Sequence, residues 1–159
     1  MTTTLDAQRL RPLWFIDDLA TVQLDGAATG GAFDVVELEG RRGDMPPLHV
    51  HLEVDEAFYV LEGELSLHLP GRSVRLEAGR ALLAPHGVPH VYRVESDRAR
   101  WLALGTPAGF ADFVREAGDE PEAPGLPPAG RVHDQARLAE VAARHGIELL
   151  GPPGTLPSP

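Results

Sequence analysis

The chain has 159 residues, of which 24 are acidic and 14 are lysine or arginine, so its formal net charge is −10. This length suits one domain with a single hydrophobic core. Nucleic acids and anionic membranes bind clustered positive charge, and no basic run here exceeds Arg41 and Arg42, so neither is expected as a partner. The absence of cysteine excludes disulfides, thiolate zinc sites and a cysteine nucleophile.

The ends of the chain show no targeting sequence. The apolar stretch LWFI at 13–16 is too short for the core of a signal peptide, and no apolar run approaches membrane-spanning length. We therefore expect a cytoplasmic protein. Residues 1–11 are polar and are expected to be loose, as chain termini commonly are.

A series of short strand candidates follows, with turn residues between them. They lie near 13–16, 20–24, 32–39, 48–52, 56–61, 64–69, 73–77, 81–85, 90–95 and 99–105. Nearly every connection is as short as a hairpin, which favours antiparallel pairing. The sequence therefore predicts an all-β domain.

Two helices are predicted after the strands. Thr106 can cap the first, and its apolar stripe should pack on the sheet; it consists of Phe110, Phe113, Val114 and Ala117. Asp134 can cap the second, whose apolar side is Leu138, Val141, Ala142 and His145. The predicted segments are a loose N-terminus (1–11), a β domain with the first helix (12–118), a Pro-rich connector (119–133), a C-terminal helix with a short extension (134–151) and an extended or disordered tail (152–159).

The stretch GDMPPLHVHLEVDEAFYVLEG, 43–63, concentrates candidate ligands. Side chains alternate along a strand, so His49 and His51 point the same way, and Glu56 shares a face with Phe58 and Val60. If the intervening turn brings the two strands side by side, two imidazoles and a carboxylate meet. A second stretch, GRALLAPHGVPHVYRV at 79–94, adds His90, which shares its face with Tyr92 and Val94.

Together these stretches resemble the two sequence motifs of the cupin family. They read G-x5-H-x-H-x4-E-x6-G, with Gly43, His49, His51, Glu56 and Gly63, and G-x5-P-x-G-x2-H, with Gly79, Pro85, Gly87 and His90. The resemblance implies a small antiparallel β-barrel, a jelly roll, with one or two C-terminal helices packed on it. It also implies one metal ion inside, held by His49, His51, Glu56 and His90. One departure is Val94, where the family commonly has an asparagine that is not a ligand.

Nitrogen and oxygen donors of this kind suit one divalent first-row transition metal, and four protein ligands leave positions open for water, substrate or dioxygen. Ligand type alone does not choose among Fe, Mn, Ni, Co, Cu and Zn. The predicted substrate pocket is lined by Phe58, Val60, Tyr92 and Val94, each of which is also a plausible core residue. Trp14 and Trp101 are further candidate walls.

Within the cupins, the ligand segments resemble single-domain bacterial proteins of the quercetin 2,3-dioxygenase type. This resemblance implies a dioxygenase acting on a flavonol or another hydroxylated aromatic, with Glu56 as both ligand and base. Two alternatives remain open: a redox-neutral isomerase, cyclase or dehydratase, and a non-catalytic cupin that binds a small molecule. A homodimer is expected because cupins are often dimers.

The other polar residues near the motifs are expected outside the site. His86 and Asp55 are read as solvated turn residues, and His68 as facing the outer surface. Glu53 is also read as solvated, although a tight turn would bring it near the metal. His133 falls in the connector and His145 near a helix C-terminus.

Overall fold

The computed structural model describes residues 10–159, so nearly all of the predicted loose N-terminus lies outside the described residues. The described strands are β1 (Leu13–Phe15), β2 (Asp18–Leu24), β3 (Asp34–Arg41), β4 (Pro47–His51), β5 (Asp55–Glu62), β6 (Glu64–Leu69), β7 (Arg72–Glu77), β8 (Ala81–Ala84), β9 (Val91–Val94), β10 (Arg98–Thr106) and β11 (Ile147–Pro153). The helices are α1 (Gly26–Thr29), α2 (Phe110–Ala117) and α3 (Gln135–Arg144).

The strands form two layers. The first is a six-stranded sheet in the order β1-β2-β3-β10-β5-β8. The second consists of the pair β11-β4 and the sheet β7-β6-β9, joined through an isolated bridge between His49 and His90. All these pairings are antiparallel, so the predicted all-β jelly-roll fold with C-terminal helices packed on it is confirmed.

The core lies between the two layers. Burial alternates residue by residue along β3 and along most of β10, as expected for strands with one face in the core and one toward solvent. The largest buried core side chains include Leu38, Phe58, Leu65, Leu67 and Trp101. Burying a side chain of this size stabilises the fold by about 1.5 to 3 kcal/mol.

The start of α2 differs from the prediction. Thr106 is the last residue of β10, and its hydroxyl donates to the carbonyl of Ala32 instead of capping the helix. The helix is capped from a distant strand: the buried Asp34 carboxylate of β3 accepts the backbone N–H groups of Gly109 (2.7 Å) and Ala111 (2.9 Å). A cap from 75 residues away leaves no local sequence pattern, so the prediction of Thr106 was wrong.

The C-terminal region contains one predicted and one unpredicted element. Asp134 caps α3 as expected, accepting the N–H of Arg137 at 2.9 Å. After Gly146 the chain forms β11, which pairs with β4 and continues into the residues predicted as a tail. Within residues 10–159, no helix combines the length and apolar character needed to cross a bilayer.

Candidate metal centre

The candidate ligands come from both layers of the fold. His49 and His51 lie on β4, and His90 lies next to it, immediately before β9. Glu56 lies on β5, which pairs with β10 and β8 in the six-stranded sheet. The two motif strands, β4 and β5, therefore do not lie side by side, and Glu56 reaches the histidines across the core.

Four side chains converge there. One nitrogen from each of His49, His51 and His90 and a carboxylate oxygen of Glu56 all lie within 4.8 Å of one another. The Nε2 atoms of His51 and His90 are each 3.0 Å from Oε2 of Glu56. His51, Glu56 and His90 are buried, and His49 is nearly so.

Backbone carbonyls orient two of the imidazoles. Nδ1 of His49 is 2.8 Å from the carbonyl oxygen of Pro47, and Nδ1 of His90 is 2.9 Å from that of Val88. A carbonyl only accepts, so both Nδ1 atoms carry a proton and donate it. The Nε2 of each ring is thereby left to point into the centre, as in metal-bound histidines.

The charge states of His49 and Glu56 suit metal binding, and His90 would bind a metal in exchange for a proton. Burial, helped by the neighbouring imidazoles, lowers the pKa of His49 to about 3, so this ring is neutral at pH 7. Burial by itself would raise the pKa of Glu56, but the nearby His51 imidazole and the hydrogen-bonded His90 outweigh it and lower the pKa, so the carboxylate is ionised. Burial disfavours charge on His90 too, yet Glu56 raises its pKa overall, so a cation would displace a proton there.

The donor set fits a divalent first-row metal. Three imidazole nitrogens and one carboxylate oxygen are its ordinary ligands, and hard ions such as Ca²⁺ prefer oxygen alone. The buried Nε2 of His51 has no well-directed hydrogen-bond partner although it lies close to Glu56. A buried polar atom without a partner is costly, and a bound cation would satisfy it.

A small apolar cavity adjoins the centre. It offers about 30 Å³ to water-sized molecules and is lined by Phe15, Ile16, Leu38, Pro46, Pro47, His49, His51, Glu56, Tyr92, Phe110, Phe113, Leu138, Ile147 and Leu149. Of the predicted pocket residues, Tyr92 lies in this wall. The other three, Phe58, Val60 and Val94, are almost fully buried in the hydrophobic core and are not among the lining residues.

Sequence reasoning missed the C-terminal part of the cavity wall. Phe110 and Phe113 belong to the predicted helix stripe, but nothing local shows that this stripe covers the site. Ile147 and Leu149 flank Glu148, but Leu150 ends the alternation, so the pattern is too short to indicate a strand or its partner. Because Ile147 pairs with His51 and Leu149 with His49, both side chains lie next to the candidate ligands.

Tyr92 is paired with a buried acid. Its hydroxyl donates to Oδ2 of Asp18 on β2, and Oδ1 of Asp18 has no hydrogen-bond partner. Burial raises the pKa of Asp18 well above its ordinary value, the Tyr92 hydrogen bond partly opposes this, and nearby Asp44 adds to it. Sequence reasoning did not single out Asp18.

The remaining histidines lie apart from the four-residue group. His86 is exposed and contacts the carboxylate of Asp55 at 2.7 Å. His68 is 2.7 Å from the hydroxyl of Ser73, and His145 is 2.6 Å from Glu116. His133 contacts Gln135 at 2.7 Å.

Glu53 and the two tryptophans, Trp14 and Trp101, also lie outside the candidate site. Glu53 is exposed and does not join the four-residue group. Trp101 is fully buried, and Trp14 donates its indole N–H to the carbonyl of Gly125 at 2.8 Å. Neither tryptophan lines the cavity.

The fold and the buried donor set define a small antiparallel β protein with a possible metal site of three histidines and one glutamate. Residues 36–105 match the family model described as the cupin domain, and this range contains all four candidate ligands. Together with the similarity to a quercetin 2,3-dioxygenase, this match confirms the resemblance to quercetin 2,3-dioxygenase-like cupins.

Quercetin 2,3-dioxygenase from Bacillus subtilis (strain 168) is 36% identical over 133 residues, which are 83% of this chain and 40% of that protein. The chain therefore spans about two fifths of the length of this relative. Among solved structures, a predicted oxalate decarboxylase from Thermotoga maritima has a TM-score of 0.59 and 19% identity, covering 66% of this chain and 99% of that one. The oxalate decarboxylase of Lactobacillus farciminis has a TM-score of 0.55 and 17% identity, covering 64% and 32%. These structural likenesses show the fold alone.

Proposed function

We propose that this protein is a metal-dependent dioxygenase acting on a flavonol-like or other hydroxylated aromatic small molecule. The observation that carries the proposal is the buried group of His49, His51, Glu56 and His90 opening on an apolar cavity. The similarity to a quercetin 2,3-dioxygenase supports the choice of reaction and substrate class.

The proposed cofactor is one divalent first-row transition metal held by His49, His51, Glu56 and His90. Such a metal would lower the pKa of a coordinated substrate hydroxyl, and any of the candidates except Zn could also exchange electrons with dioxygen. The donor set does not discriminate among Fe, Mn, Ni, Co, Cu and Zn.

Glu56 is the proposed base. Its carboxylate is ionised, and only one of its two oxygens faces His51 and His90, so the other can accept a proton from a substrate hydroxyl. The apolar walls around it, including Leu38 and Phe110, would exclude water and hold the aromatic rings of the substrate. Tyr92 lies in the same wall with its hydroxyl proton directed to Asp18, so its oxygen is free to accept.

The first experiment is elemental analysis of protein purified without added metal, followed by a flavonol panel in an oxygen electrode. One equivalent of a redox-active metal with oxygen uptake is expected. Turnover without oxygen uptake would indicate the redox-neutral alternative, and metal with no turnover of any substrate class would indicate a binding protein.

The second experiment separates the ligand role of Glu56 from its role as a base. Glu56→Gln keeps an oxygen donor but loses basicity, so metal content should largely persist while turnover falls by roughly 10² or more. The exposed Glu53→Gln is the matched control and should behave as the wild type. Wild-type turnover by metal-loaded Glu56→Gln would refute the base assignment.

A homodimer is also part of the proposal. The outer face of the six-stranded sheet carries neighbouring apolar residues on β3, β10, β5 and β8, among them Val35, Leu102, Leu104, Tyr59 and Leu83. Tyr59 and Leu83 are 40% and 49% exposed, and burying this face against a second copy would remove it from water. Sedimentation analysis should show a dimer for the wild type and a monomer for Tyr59→Glu.

A further inference from the structure

The cavity beside the candidate metal centre is too small for an aromatic substrate in the form described. Its 30 Å³ compares with the roughly 10 to 15 Å³ that one water molecule needs, so it admits about two waters. A flavonol, with three rings, does not fit. Some part of the wall must therefore move before such a molecule reaches Glu56.

The wall contributed by α2 is firmly held. Its N-terminal end is bound to the buried Asp34, and the residues just beyond its C-terminal end pair with β1 through two backbone hydrogen bonds between Trp14 and Asp119, both 2.9 Å. Phe110 and Phe113 on this helix are themselves buried in the core. Displacing α2 would break all of these interactions.

The wall contributed by α3 and β11 also buries core residues, among them Leu138, Val141, Ala142 and Ile147, but the ion pairs of its arginines lie at the surface. Arg137 and Arg144 of α3 pair with Asp119 and Glu116, but these side chains are between 39% and 48% exposed, where ion pairs contribute little. The strand β11 pairs with β4 alone among the described strands. Its register is irregular after Leu149, and it ends in two prolines that have no N–H to donate.

This unit carries three side chains into the cavity: Leu138 from α3, and Ile147 and Leu149 from β11. We propose that Leu138, Ile147 and Leu149 determine which ligands reach the centre, and that the α3–β11 unit, residues 135–153, moves away from β4 to admit a flat aromatic molecule. This inference rests on the proposed function for its substrate class. Molecules of the size of azide or dioxygen need no such movement, because the closed cavity accommodates them.

A disulfide across β11 and β4 tests the movement directly. Val50 and Glu148 are directly opposite each other, on the strand faces that point away from the ligands. Facing residues of antiparallel strands are about 4.5 to 5.5 Å apart, which a disulfide can bridge. The chain has no cysteine of its own, so Val50→Cys with Glu148→Cys gives a single pair that can be closed or opened by oxidant and reductant.

The main readout is the association rate of 3-hydroxyflavone, followed by its fluorescence, with protein stripped of metal and with protein loaded with Co²⁺. The oxidised double variant should bind about tenfold more slowly or worse, and reduction should restore the rate. Equal rates in the two redox states, or no binding by the reduced and wild-type proteins, would overturn the proposal.

A second comparison tests the side chains without a disulfide. Leu149→Ala removes part of the wall and should increase the affinity for 3-hydroxyflavone, whereas Leu150→Ala, on the exposed face of the same strand, should not. Equal effects of the two substitutions would overturn the assignment of Leu149.

Azide binding to the Co²⁺ protein, followed by visible absorption, separates this inference from the proposed function. It should be the same in the oxidised and reduced double variant. If Co²⁺ does not bind but flavone binding still depends on the disulfide, the proposed function fails and the inference stands. If Co²⁺ and azide bind normally and the disulfide has no effect on flavone, the inference fails alone.

Discussion

Replacing Asp34 should be among the most destabilising single changes in the protein. Its side chain is fully buried and accepts three backbone N–H groups, from Gly105 at 3.1 Å, Gly109 at 2.7 Å and Ala111 at 2.9 Å. Asp34→Ala leaves all three without an acceptor. Water can reach the partly buried Gly109, which leaves two buried groups unsatisfied at about 1 to 3 kcal/mol each, so we expect a loss of about 2 to 6 kcal/mol.

Urea unfolding measures this loss. Because small domains are stable by only about 5 to 15 kcal/mol, the effect should be evident as a large decrease in the midpoint. Asp112→Ala is the matched control: Asp112 lies in the first turn of the same helix but is exposed, so its loss should cost about 0.3 to 1 kcal/mol. If Asp34→Ala is no more destabilising than Asp112→Ala, the capping role assigned to Asp34 is wrong.

Three further results are expected. His90→Ala should lower the metal content measured by elemental analysis while far-ultraviolet circular dichroism remains that of the wild type, and full metal occupancy would contradict its assignment as a ligand. Val94→Asn buries an unpaired amide outside the cavity, so it should reduce the free energy of unfolding by about 1 to 3 kcal/mol without changing metal content. Asp18 has a raised pKa in the folded state, so its stabilising effect is greatest below the unfolded pKa near 3.8 and is lost as the pH rises toward the folded value. Asp18→Asn should therefore gain stability relative to the wild type as the pH rises above about 4 in urea titrations, and parallel pH profiles would disprove this.

The strands were predictable because their cause is local. Apolar and polar residues alternate between turn residues, and the structure places each predicted strand within two residues of the expected ends. The layer order was not predictable from spacing alone. Short connections indicated neighbouring hairpins, yet β4 and β5 lie in different layers and β11 returns from the far end of the chain to pair with β4.

In the candidate site, too, the residues set by local sequence were predictable and those set by distant contacts were not. The alternation of His49 and His51 places both on one face, and the motif spacing pointed to Glu56 and His90 as their companions; the structure brings the four together. The cavity wall depended on elements distant in sequence. Ile147 and Leu149 lie about 100 residues beyond the histidines with which they pair, and no local pattern encodes such a contact. Val94 shares the inward direction of His90 but lies farther along β9, within the core.

The isolated bridge between His49 and His90 lies where separate groups of strands are held together. Their backbones exchange two hydrogen bonds, 3.3 and 2.9 Å long, at the seam where the two parts of the second layer meet. Glu56 extends the same group into the opposite layer. A cation held by these side chains would therefore fasten three separate strand groups at one point, as a disulfide does in secreted domains. The chain has no cysteine and therefore no disulfide, so metal binding would be its means of cross-linking these strands and would stabilise the folded state.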